Sequence, residues 1–246
     1  SYLLCPAIGK VLGLHGDDAR AIFLLSRCVA LALWALMGWL VYMACRSGGA
    51  ASWSAMLAAG TTMCSTWEQA FSRMDALASV TSAAVVLFFI RWQTIGELRA
   101  LRVAMVLAVI GVFSKQSGVA LLAAPLLFLV LTRQWVAVRR AIPPLLLTTL
   151  LCTLVLLLLG SPKAIYQNTV LGLRNGFSWM MYEELFLPPA YKYFIGWHVV
   201  AVVLVVAGWR SRNAALQFLA IAIPWSLVFA LITRLIYGSR LNYPPE

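Results

Sequence analysis

The chain has 246 residues, 63% of them hydrophobic and 11% charged, and its mean hydropathy is +0.89; a soluble globular domain does not reach such values. The formal net charge is +11, yet the Lys and Arg residues stand singly or in twos and threes between apolar runs, which marks membrane-flanking charges and argues against nucleic acid as a partner. The cysteines Cys5, Cys28, Cys45, Cys64 and Cys152 are odd in number, fall mostly within apolar runs and lack CxxC spacing, so neither a disulfide framework nor a zinc site is expected.

In chain order, residues 1–14 are amphipathic and lack a basic signal-peptide region. The chain stops in polar Asn242, Tyr243, Pro244, Pro245 and Glu246, so both ends read as internal to a longer protein. Residues 21–45 form a first predicted span, long enough for about 30 Å of hydrocarbon. A short turn at 46–49 leads to a weaker second span, 50–65, rich in Ala, Ser, Thr and Gly. The polar stretch 66–75 enters a third span at 76–90, and 91–102 reads as a basic connector. Two apolar runs, 103–113 and 119–131, are separated by Ser114, Lys115, Gln116, Ser117 and Gly118. Arg133, Arg139 and Arg140 form a further connector before the span at 142–159. Residues 161–196 make a long polar loop with aromatics throughout and Pro188 and Pro189 as breakers. A short span at 197–209, a basic turn at Arg210 and Arg212, and a last span at 214–232 follow. Trp67, Trp92, Trp135, Trp197 and Trp209 fall at span ends, as an interfacial belt requires.

Read as one helix, 103–131 would hold the Lys115 ammonium near its centre, at a cost of about 2.5–3.5 kcal/mol. Read as a hairpin with Lys115 at its tip, the chain gathers Arg46, Arg91, Arg99, Arg102, Arg133, Arg139, Arg140, Arg210 and Arg212 on one side within short connectors. The single-span reading destroys that asymmetry. The positive-inside rule then makes the dense side cytoplasmic and gives eight crossings. Seven of the eight acids (Asp17, Asp18, Glu68, Asp75, Glu183, Glu184 and Glu246) fall on the other side, with only Glu97 opposite. Any chemistry is expected on that outer face.

Glu68 and Asp75 stand at i and i+7, so they share a helical face that Ser79 and Ser82 continue inward. Such carboxylates suit general-base work or the holding of sugar hydroxyls; the bland alternative is a pair of ordinary interface charges. Lys115 at a turn between short spans can meet a lipid phosphate as a point charge, or simply snorkel from a helix end. Arg234, Arg240, Lys192 and Arg174 are weaker candidates of the same kind. His15 and His198 are isolated and read as structural, Glu183 and Glu184 as solvated, and Arg27 as snorkelling or pairing locally.

Three segments carry a resemblance to a known family. Phe113, Ser114, Lys115, Gln116, Ser117, Gly118, Val119, Ala120 and Leu121, ending in Pro125, look like a Thr/Ser-Lys turn between two spans. Arg73, Met74, Asp75, Ala76, Leu77 and Ala78 are similar to an Arg-x-Asp-x-Leu-Ala helix start. Tyr237, Gly238, Ser239, Arg240, Leu241, Asn242 and Tyr243, with Glu246, resemble a Gly-Ser-x-x-Asn-Tyr segment that opens a later helix. Residues 1–13 and 17–20 also look like that family's segment after its first outer loop. In this order the segments resemble the GT-C superfamily of polytopic glycosyltransferases that use polyprenyl-phosphate sugars, in particular the bacterial branch related to protein O-mannosyltransferases and aminoarabinose transferases.

The resemblance implies an all-α polytopic transmembrane helical bundle, one GT-C-like domain over 1–246 with 161–196 as its extracytoplasmic loop. It also implies a multi-pass location in a cell membrane, the bacterial inner membrane, among membrane lipids and a lipid-linked sugar donor. The expected activity is inverting transfer from a polyprenyl-phosphate sugar to a lipid, glycan or protein acceptor. Lys115, Gln116, Asp75, Arg73, Arg240, Asn242 and Tyr243 are the implied donor-binding residues, with Glu68, Lys192 and Arg234 weaker, while the family's catalytic aspartate belongs upstream of Ser1. No metal-ligand cluster is visible and no cofactor is expected. A multi-pass transporter or lipid flippase is the competing reading, since transporters also break their helices, although the one-sided acids and the lack of an internal repeat favour an enzyme. A scaffold subunit is a third reading and explains Lys115 poorly.

Overall fold

The computed structural model describes residues 19–66, 75–114, 119–159, 199 and 202–235. Among these residues there are helices and turns and no strand. We number the helices α1 (Ala19–Ser47), α2 (Ser52–Ser65), α3 (Asp75–Ile95), α4 (Leu98–Ser114), α5 (Val119–Leu131), α6 (Trp135–Leu159), α7 (202–210) and α8 (Ala214–Leu235). The chain divides into two compact units, residues 1–122 and 123–246.

In the first unit α3 packs against both α1 and α4, and α2 packs against α1. The sequence explains the central place of α3. Ala76, Ala78, Val80, Ala83, Ala84, Val85, Leu87, Phe89 and Ile90 are all buried, so the helix is apolar on more than one face, as a helix enclosed by neighbours must be. Met37, Leu40 and Ala44 of α1 form a core with Val80, Ala83, Ala84 and Leu87 of α3. The small residues let the two backbones approach, which is how helices associate where lipid removes the hydrophobic drive. Gly38 does the same between α1 and α2: a Cβ there would lie 2.8 Å from the Met63 Cγ. Arg27 pairs locally, its guanidinium carbon 4.5 Å from the Phe23 ring centroid.

Three helix ends close with a left-handed residue. After α1, Ala50 N–H donates to the Cys45 carbonyl (2.9 Å) and Gly49 N–H to that of Arg46 (3.1 Å), with Gly49 at φ 91°; these are the paired bonds of a Schellman cap. After α3, Gly96 (φ 75°) donates to the Trp92 carbonyl at 2.8 Å. After α5, Gln134 donates to Leu129 (2.8 Å) and Arg133 to Val130 (3.0 Å), but the left-handed position holds Arg133 at φ 55°. A side chain with a Cβ is disfavoured there by about 1 kcal/mol. Arg133→Gly is therefore expected to raise stability by about that amount, read as a shift of the unfolding midpoint in detergent.

In the second unit Phe128 of α5 meets Phe218 of α8 edge to face, ring centroids 5.8 Å apart. Gly208 of α7 is buried against Leu216 and Ala220 of α8. Asn213 caps α8: its Oδ1 accepts from Ala215 N–H at 2.9 Å, and its own N–H donates to the Ser211 Oγ at 3.0 Å. Gln217 closes the turn from the other direction, donating its Nε2 to the Ser211 carbonyl at 2.9 Å.

Among the described residues three helices are long and apolar enough to cross a membrane: Phe23–Ser47, Ala76–Ile95 and Trp135–Leu158. The last makes the strongest case. Only 6% of it is buried, and Leu146, Leu147, Leu150, Leu151, Leu154, Val155, Leu157 and Leu158 are exposed around it, an apolar surface that lipid tolerates and water does not. The hydroxyls agree. Thr61, Thr62, Ser82, Ser114, Thr132, Thr148 and Thr149 each donate to the carbonyl four residues back, which satisfies them inside their own helix where no water is at hand. Pro125, Pro143, Pro144 and Pro224 sit within helices, as membrane helices permit.

The helix bounds differ from the sequence expectation at two connectors. Residues 91–102 contain only a two-residue link, Gly96 and Glu97, because α3 runs to Ile95 and α4 starts at Leu98; Arg, Trp, Gln and Leu are adequate helix formers and nothing before Gly96 stops the helix. Likewise α6 begins at Trp135, so Arg139 and Arg140 lie on its first turns. The expected span at 50–65 is a 14-residue helix, about 21 Å long, and it falls short of the hydrocarbon thickness by itself.

Candidate functional site

Most of the predicted donor-site residues lie outside the described residues: Glu68, Arg73, Lys115, Gln116, Lys192, Arg240, Asn242 and Tyr243, as do Arg174, His15, His198, Glu183, Glu184 and the 161–196 loop. Asp75 is the first residue of α3 and Arg234 the next to last of α8. What the fold contributes is the frame that holds Asp75 and the two helix ends flanking Lys115.

Helices α3 and α4 pack together and are joined by Gly96 and Glu97 alone, so they form an antiparallel helical hairpin. The 21 residues of α3 and the 17 of α4 run about 31 Å and 25 Å from the bend. Asp75 and Ser114 consequently stand at the same end of the hairpin, with Ser114 about one turn closer to the bend. The opposite end carries Arg91, Arg99 and Arg102 with Glu97 between them. Asp75 and the Ser114 terminus of α4 therefore both belong to the end remote from these arginines.

Helix electrostatics acts on the two differently. The amide end of α3 carries partial positive charge and the carbonyl end of α4 partial negative charge. Within α4 the Ser114 Oγ donates to the Ile110 carbonyl at 2.7 Å. Of the stripe Asp75, Ser79 and Ser82, the Ser82 Oγ is tied to its own helix, donating to the Ala78 carbonyl at 2.5 Å; on another face of α3 buried Thr81 donates to Leu77 (3.0 Å) and Ala78 (2.8 Å). Those hydroxyls offer a ligand acceptor lone pairs and no free proton. Among the described residues no group of three His, Cys, Asp or Glu is placed to hold a metal ion.

The sequence reading missed a pocket in the second unit. Phe128, Leu131, Thr132, Trp209, Gln217 and Ile221 line a cavity of about 210 Å³. Its walls come from the end of α5, the end of α7 and the first turns of α8. The nearest signal in the sequence is the basic turn at Arg210 and Arg212 beside Trp209.

No protein-family model matches the chain, and comparison with curated proteins and with solved structures finds no match for it either. The fold thus defines the class: a protein all-helical over its described residues, associated with a membrane through helices able to cross it.

Proposed function

We propose that the protein is a multi-pass membrane glycosyltransferase of the GT-C type, transferring a sugar from a polyprenyl-phosphate donor to an acceptor on the outer face of a cell membrane. The observation that carries this reading is the α3–α4 hairpin, whose Asp75 end lies opposite its Arg91, Arg99 and Arg102 end. With the arginines cytoplasmic by the positive-inside rule, Asp75 and the Ser114 terminus of α4 face outward together.

In this mechanism the acceptor hydroxyl attacks the anomeric carbon as polyprenyl phosphate departs with the bonding electrons. Lys115 holds the phosphate and offsets its growing charge, a preorganised cation acting where water is scarce. Asp75 holds sugar hydroxyls. By the resemblance, the acceptor's proton goes to an aspartate of the family's first outer loop, which the motifs in this chain do not include.

Membranes containing the full-length protein are expected to transfer radiolabelled sugar from a polyprenyl-phosphate donor, and membranes containing its Lys115→Ala variant at equal protein level are not. Equal transfer by both would end the phosphate role of Lys115. Topology is tested separately in a cysteine-free background. A membrane-impermeant thiol reagent applied to intact cells is expected to label Ser117→Cys and to spare Glu97→Cys, and labelling of both or of neither would refute the hairpin's orientation.

A further inference from the structure

The pocket of the second unit has a composition that is neither core nor active site. Phe128, Leu131 and Ile221 make an apolar floor, Thr132 and Gln217 add polar groups, and Trp209 stands 69% exposed at its edge. Thr132 donates its hydroxyl hydrogen to the Phe128 carbonyl and Gln217 one amide hydrogen to the Ser211 carbonyl, which leaves one amide hydrogen of Gln217 and the side-chain oxygens of both. Arg133 and Arg210, each the residue after a lining residue, are both exposed.

Charge decides the occupant. The described residues of the second unit carry Arg133, Arg139, Arg140, Arg210, Arg212 and Arg234 and not one Asp or Glu, so their counter-ions come from outside those residues. Arg133 stands moreover in a left-handed position where glycine would be unstrained, and strain of this kind accompanies function. An exposed tryptophan at a helix end and arginines beside an apolar cavity match the headgroup level of a bilayer.

We propose that this pocket binds one anionic phospholipid, its glycerol and upper acyl carbons against Phe128, Leu131 and Ile221 and its phosphate between Arg133 and Arg210. The proposal requires a membrane but not sugar transfer, so it stands or falls independently of the glycosyltransferase reading.

The test uses the full chain in nanodiscs of phosphatidylcholine with a minor share of phosphatidylglycerol of the same acyl chains, native mass spectrometry counting retained lipids. The wild type is expected to retain phosphatidylglycerol preferentially. Arg133→Gln with Arg210→Gln reduces that preference by roughly 25-fold, from the usual worth of two interfacial arginines. Arg139→Gln with Arg140→Gln removes equal charge away from the pocket and reduces it by less than about threefold. Leu131→Trp fills the cavity at an exposed position without changing charge, and lowers the preference as well. No preference in the wild type overturns the site, as does an equal loss in the two double variants. An unaffected Leu131→Trp removes the pocket from the account, and full competition by soluble glycerol phosphate would make it a free-phosphate site.

Discussion

Replacing Gly208 by alanine is expected to lower the stability of the second unit by about 3 kcal/mol, at the upper end of the cost of overpacking. Gly208 is buried where α7 meets α8, and an added Cβ would lie 2.9 Å from the Ala220 Cβ and 3.1 Å from the Leu216 carbonyl carbon, with the Leu216 oxygen nearer still. Two of these three atoms are backbone, so no rotamer change relieves the clash and the helices must separate. Trp209 and Gln217, which line the pocket, adjoin the colliding residues, so lipid preference should fall together with stability. Gly60 supplies the contrast. It sits in the middle of α2 with open space around the same position, and Gly60→Ala should gain about 0.5–1 kcal/mol from the lower entropy of the unfolded chain and better helix propensity. Unfolding midpoints in detergent are expected to move in opposite directions for the two variants. A Gly208→Ala midpoint at or above that of the unaltered protein would show that α7 and α8 do not pack as described.

Where their residues are described, the apolar runs read from the sequence fall on helices or helical stretches, the conformation in which such a run satisfies its backbone without water. The ends were less legible. A hydropathy pattern stops where charge begins, whereas α3 continues through Arg91 and Trp92 to Ile95, and α6 starts at Trp135, ahead of Arg139 and Arg140. Gly49 and Gly96 are glycines where a cap demands one. Arg133 does the same work without the residue type that would announce it. The pocket was illegible for a different reason, since its walls are drawn from Phe128, Leu131, Thr132, Trp209, Gln217 and Ile221, which no local pattern connects. As for the proposed donor site, the distribution of positive charge put the acids on a common side, and the structure adds the hairpin that gives Asp75 and the α4 terminus a common end.

That common end makes the strongest expected effect on activity one of unequal losses. If Lys115 grips the departing phosphate, its contribution grows as the glycosidic bond breaks, so Lys115→Ala should cut kcat by about 10²- to 10³-fold, as loss of a preorganised transition-state donor does. Lys115→Arg keeps the charge but replaces a compact ammonium with a planar fork, and should restore part of the rate. Asp75→Asn, by contrast, weakens a contact to sugar hydroxyls that is present before and during reaction, so its effect should fall mainly on KM and be about tenfold, the size of one hydrogen bond to a charged group. The competing account is purely electrostatic: Asp75 at the amide end of α3 and a cation beyond the carbonyl end of α4 each complement a helix dipole. On that account each substitution costs about 0.3–1 kcal/mol of stability and leaves transfer per folded molecule unchanged. Measuring kcat and KM per correctly inserted protein, with insertion scored by thiol labelling at position 117, separates the two accounts. Equal kcat for Lys115→Ala and the unaltered protein, together with a lowered unfolding midpoint, would assign both charges to the helix ends and none to the donor phosphate.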